Sequence, residues 1–187
     1  MGFQIVPETM PLLQSALKGD PDDVEVRWAL AFVLAEQGRF EGAFRVLEGA
    51  LEQVPERGMI LESAANLALI LDRTDTALSY YRRLLRINPW EPLFHLNLAR
   101  IHHRRDEWPE AQKACQDSLR INPFDVAARQ LLIESLFRGG KADEARIEWA
   151  MLQDLEPNRA DELRDWFDKL TDRPFTVDNS VIRARRR

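Results

Sequence analysis

The chain has 187 residues, 45% of them apolar and 30% charged, with a formal net charge of −5. That length holds one domain or one short array of repeats, and that composition belongs to a folded chain rather than a disordered or collagen-like one. The single cysteine, Cys115, excludes an internal disulfide framework, and the negative balance argues against broad binding to a phosphate backbone.

In chain order, residues 8–18 read as a first short helix. The apolar residues of LAFVL (30–34) and FRVLEGAL (44–51) recur at helical rather than strand spacing, which predicts two amphipathic helices joined by a turn at Gly38. Asp72 and Asp106, common turn residues, stand at the equivalent place in the next two segments, and Gly140 stands there in the last. The second helix of later pairs ends at Asn88-Pro89, Asn122-Pro123 and Glu156-Pro157, because proline lacks the backbone donor and clashes with the preceding turn. Residues 160–171 form a further helix with Leu163, Trp166, Phe167 and Leu170 on one stripe, and residues 172–187 show no periodicity.

These segments repeat. Pro21, Pro55, Pro89, Pro123 and Pro157 are spaced 34 residues apart without insertion or deletion, and so are Ala43, Ala77, Ala111 and Ala145. Between each alanine and its proline lies Leu47, Tyr81, Cys115 or Trp149, again at one offset. With Leu30, Ala31, Ala65, Leu98, Ala99 and Leu132 at the large and small positions of the first helices, the chain resembles the tetratricopeptide repeat family. Departures are Ala64 for a leucine, Ile133 for a small residue, and Leu84, Ser118 and Leu152 for an alanine. The resemblance implies an all-α, right-handed α-solenoid of about four helix-turn-helix repeats. The expected segments are an N-terminal capping helix or partial repeat (1–23), repeats at 24–57, 58–91, 92–125 and 126–159, a capping helix (160–171) and a basic tail (172–187) ending in Arg183, Arg185, Arg186 and Arg187. Such repeats bury one another's apolar faces, and small residues let the two helices of a pair cross closely.

In the family, the first helices of the pairs line a concave groove. Carried over to this chain, the groove takes Trp28, Phe32 and Glu36 from the first repeat and Glu62, Asn66 and Ile70 from the second. The third adds Leu93, Asn97, Arg100 and Arg104, and the fourth Phe137 and Arg138. Met59, Leu69 and Leu96 make the same surface more apolar than solvation requires, although packing between neighbouring helices is the competing reading for Leu69 and Leu96. Charges segregate, with Glu25, Glu36, Glu62 and Glu91 in the first half and Arg100, Arg104, Arg138 and Arg159 in the second, partly offset by Asp125 and Glu134; this would orient a bound peptide, the competing reading being a solvated face of mixed charge. Asn66 and Asn97 match two places of the family's carboxylate clamp, but Glu62, Ala127 and Leu131 stand where its basic residues belong, so chaperone-tail binding is not expected.

No phosphate loop, nucleophile elbow or paired-carboxylate arrangement is present. His95 and His102, seven residues apart, share a helical face, but they fall at packing positions, so no metal is expected. Cys115 falls at a core position and reads as an inert thiol. Trp108, Trp149 and Trp166 are expected in the core, with Trp90 near a loop edge. The expected function is therefore a non-enzymatic scaffold or adaptor, with no cofactor, that binds a peptide or amphipathic helix of a protein partner. Self-assembly as a homo-oligomer, or a structural role within a larger protein, is the first alternative; a metal protein or enzyme is the least supported. Nucleic acid or membrane contact through the basic tail is not expected. MGFQIVPETM lacks the basic and apolar segments of a signal peptide, so the expected location is the cytoplasm, with the periplasm left open for a piece of a longer chain.

Overall fold

The computed structural model describes residues 9–171. The tail at 172–187, including the four arginines at its end, and residues 1–8 lie outside the described residues. Those described form ten α-helices: α1 (Thr9–Gly19), α2 (Val24–Glu36), α3 (Phe40–Gln53), α4 (Gly58–Ile70), α5 (Thr74–Ile87), α6 (Pro92–Arg104), α7 (Trp108–Ile121), α8 (Val126–Arg138), α9 (Ala142–Leu155) and α10 (Ala160–Thr171). A short 3-10 turn, Pro157–Arg159, precedes α10, and no strand occurs among the described residues. The architecture is all-α, built of four helix-turn-helix repeats with a helix before and a helix after them.

Local chemistry sets the helix ends. Asp23 and Asp125 cap α2 and α8, accepting hydrogen bonds from the backbone N–H groups of Val26 (2.9 Å) and Ala128 (3.0 Å). Pro92 opens α6, where its missing N–H is not needed. Each turn within a pair closes the same way. Gly38, Asp72, Asp106 and Gly140 adopt φ of 74°, 58°, 58° and 79°, the left-handed region that glycine enters freely and aspartate tolerates. The next residue then donates to the carbonyl five positions back: Arg39 to Leu34, Arg73 to Ala68, Glu107 to His102 and Lys141 to Leu136, at 2.7–3.0 Å.

The chain divides after Pro89 into two compact units. In the first, α1 to α5 pack in sequence, each on the next. Phe44 of α3 and Tyr80 of α5 meet with ring centroids 6.5 Å apart, and the Arg73 guanidinium lies over the Phe44 ring at 4.8 Å. In the second, α6 to α9 pack in sequence and α6 also touches α8. Here the stripe on α10 meets α9: Phe167 stacks on Trp149 at 4.6 Å, Trp166 lies 6.3 Å from Trp149, and Leu163 is buried.

The crossings of paired helices are lined by small residues, as the period requires. Ala43, Ala77, Ala111 and Ala145 are fully buried, and Ala31, Ala65 and Ala99 facing them are at most 2% exposed. Ala111→Leu is expected to overpack its crossing and cost about 1–3 kcal/mol. The urea midpoint of the variant against the parent measures this.

Arg27 and Arg129 perform a second structural task. Both stand six residues after a repeat-end proline, and both return to its carbonyl: Arg27 Nε donates to the Pro21 oxygen (2.9 Å) and Arg129 Nη2 to that of Pro123 (2.8 Å). Arg27 also donates to the Gly49 carbonyl of α3 (2.7 Å), and Arg129 to the Glu148 carboxylate of α9. One side chain thus ties the linker between repeats to both helices of the following pair.

Candidate functional site

In the first unit, Trp28, Phe32 and Glu36 follow one another at four-residue spacing along α2, on one helical face. Trp28 is half-buried. Its indole Nε1–H donates to Ser63 Oγ of α4 (3.1 Å), and that hydroxyl donates onward to the Met59 carbonyl (2.9 Å). Phe32, tilted against Trp28 at 6.4 Å, is 46% exposed, Met59 45% and Ile70 57%. Glu62 is half-buried and Asn66 exposed, with its Oδ1 accepting from the Tyr81 hydroxyl (2.5 Å). Trp28, Ala31, Phe32, Ala35, Leu47, Ser63 and Leu67 line an open pocket of about 140 Å³.

In the second unit, α6 carries Leu93 at 42% exposure, with Arg100 and Arg104 exposed. Asn97, assigned to the groove from sequence, is only 7% exposed and accepts from Arg100 Nη1 (3.1 Å). It therefore positions a side chain rather than presenting itself. On α8, Phe137 is half-buried, and exposed Arg138 donates to Glu134 (3.2 Å). Leu96 is buried, so packing wins at that position.

The charge pattern expected from sequence is thinned by local pairing. Glu25 pairs with Arg57 at 2.5 Å, Glu91 caps α6 through the Leu93 N–H (3.3 Å), and Arg159 pairs with Glu162 at 2.9 Å. Among the described residues, apart from the cap residues Glu91 and Asp125, the charges without an ion pair on these faces are Glu36 and Glu62 in the first unit and Arg100 and Arg104 in the second. These four are acidic in the first unit and basic in the second.

His102, His103 and the thiol sit in packed surroundings. His102 is buried, with Nδ1 bonded to the Glu107 carboxylate (2.5 Å). Trp108 and Trp166, expected in the core, are only half-buried; Trp108 meets His103 edge-to-face at 5.2 Å, because it opens α7 where the chain emerges from the Asp106 turn. Burial pushes the Cys115 thiol up to about 12; Asp125 adds to the shift and Arg100 opposes it. The raised value means the folded state holds the proton, so this group's stabilisation is complete below the ordinary thiol value of 9.0 and is lost as pH rises toward about 12. Native protein at pH 8 is expected to react with a thiol reagent at the rate at which it unfolds, and denatured protein at once. Rapid native labelling would contradict this burial.

Sequence reasoning missed Ser63, Arg27 and Arg129. The signal for the arginines was present, since both follow a repeat-end proline by six residues. Ser63 gave none, because its importance comes from the indole that reaches it from the preceding repeat.

Helix pairing, period and the small-residue crossings define a helical-repeat protein of the tetratricopeptide type. The tetratricopeptide repeat family profile matches residues 7–66 and 68–132, and the chain belongs to this family. No curated protein matches it in sequence. Among solved structures, a MamA crystal structure is similar with a TM-score of 0.75 at 18% identity, covering 81% of this chain and 83% of that one. MamA from Desulfovibrio magneticus RS-1, residue 41 to the end, gives 0.74 at 17% identity, covering 80% and 85%. YrrB, described as a TPR protein with an unusual peptide-binding site, gives 0.68 at 20% identity, covering 80% and 77%. At these identities the likeness is one of fold.

Proposed function

We propose that this chain is a non-enzymatic interaction module that takes a peptide segment or amphipathic helix of a protein partner on the exposed faces of its first-in-pair helices. The observation that carries the reading is the set of large apolar side chains left open on those helices within each unit: Phe32, Met59 and Ile70 in one and Leu93 in the other, each at least 42% exposed. Open apolar surface rimmed by charge is the mark of a binding face. Arg100 and Arg104 would select acidic residues in the partner and fix its direction. No cofactor enters this reading.

The test uses peptides selected on the full chain from a random-peptide display library. Arg100→Ala combined with Arg104→Ala is expected to weaken acidic peptides about tenfold, or about 1.4 kcal/mol, with the melting temperature unchanged. Full-strength binding of every selected peptide to this variant would contradict the role given to α6.

A further inference from the structure

The pocket on α2 has Leu47, from the second helix of the first repeat, among its lining residues. At the position where the second, third and fourth repeats carry Tyr81, Cys115 and Trp149, the first carries Leu47. In the second repeat the ring fills the space beneath the first helix, and its hydroxyl reaches Asn66. In the first repeat, Leu47 falls short by a ring, and Ala31 and Ala35 bring no side chain to replace it. The hollow of about 140 Å³ is the size of apolar cavities that hold a benzene ring, about 150 Å³. Its polar rim atoms are already engaged with each other, Trp28 with Ser63 and Ser63 with the Met59 carbonyl. An apolar group therefore suits it, and a hydrogen-bonding one does not.

Its surroundings narrow the occupant further. Glu36 lies one residue beyond Ala35 and one turn beyond Phe32, and Glu62 lies beside Ser63. Neither carboxylate has an ion pair among the described residues, while the nearby Glu25 is taken by Arg57. An apolar pocket flanked by two uncompensated carboxylates complements a basic amphipathic segment.

We infer that the pocket formed by Trp28, Phe32, Leu47 and Leu67 is an anchor site for one side chain of leucine to phenylalanine size, on a partner segment with lysine or arginine about one helical turn from the anchor. This rests on the interaction reading above and assigns that reading a specific contact in the first unit.

The same peptide library selected on the full chain tests it. Peptides should share one Leu, Ile, Met or Phe with a basic residue three or four positions away, as helical spacing requires. Ala35→Leu, which fills the mouth from an incompletely buried position, is expected to weaken them at least tenfold with no fall in melting temperature. Leu47→Tyr fills the pocket from below and should do the same. Glu36→Gln with Glu62→Gln should weaken binding several-fold and remove most of its salt dependence. Basic peptides that bind Ala35→Leu at full strength, or a selected set with no basic enrichment, would overturn the site. Loss confined to the Arg100 and Arg104 variant would overturn the pocket and leave the interaction function standing. Failure to select any peptide, or binding untouched by variants of either unit, would remove both.

Discussion

Trp149→Ala is expected to destabilise the chain by about 3–5 kcal/mol, the range for removing a large aromatic from a packed core. Trp149 is 1% exposed and joins α9 to α10 through its stack on Phe167. Removing the indole deletes both its own burial and the platform for α10. Phe167 is itself 1% exposed in the native chain and would face a cavity. Phe167→Ala removes less surface and leaves Trp149 over its own repeat, so it should cost less. Urea denaturation followed by circular dichroism ranks the two. Equal and small losses would mean that α10 contributes little to the second unit.

Glu148→Leu is expected to cost about 3 kcal/mol, the low end for breaking a buried ion pair, since Glu148 is 24% exposed. The Arg129 side chain is 10% exposed and would keep the Pro123 carbonyl as its remaining oxygen partner. Its Nε already has no hydrogen-bond partner among the described residues. An uncompensated guanidinium is the source of the penalty, so Arg129→Met added to Glu148→Leu should recover most of the loss. A double-mutant cycle on urea midpoints measures the coupling. Additive losses would show that the pair acts only through space filling.

Much of this architecture could be read directly from residue types. The 34-residue period located the helix pairs, because proline ends a helix and alanine permits a crossing wherever the chain places them. The left-handed turns were marked by Gly38, Asp72, Asp106 and Gly140, since only a few residue types adopt that backbone. Side-chain reach was less legible. Asn97 shares its helix with the exposed Arg100 yet turns inward, and whether Glu25 stays open depends on Arg57 from the linker before α4. The pocket could have been suspected from Leu47 replacing an aromatic, but a short residue makes a hollow only if its neighbours do not close over it. That depends on Trp28 being held upright by Ser63, a contact between residues 35 positions apart.

The most direct test of the proposed binding face is to titrate a library-selected peptide into isotope-labelled full-length chain and follow the indole N–H resonances. The Trp28 signal should move in step with binding, together with the amides of Phe32 and Ser63, while the buried Trp149 stays fixed. Movement of Trp90 and of the amides around Phe124, with Trp28 unchanged, would place the partner on the loops between repeats and contradict the face assigned here.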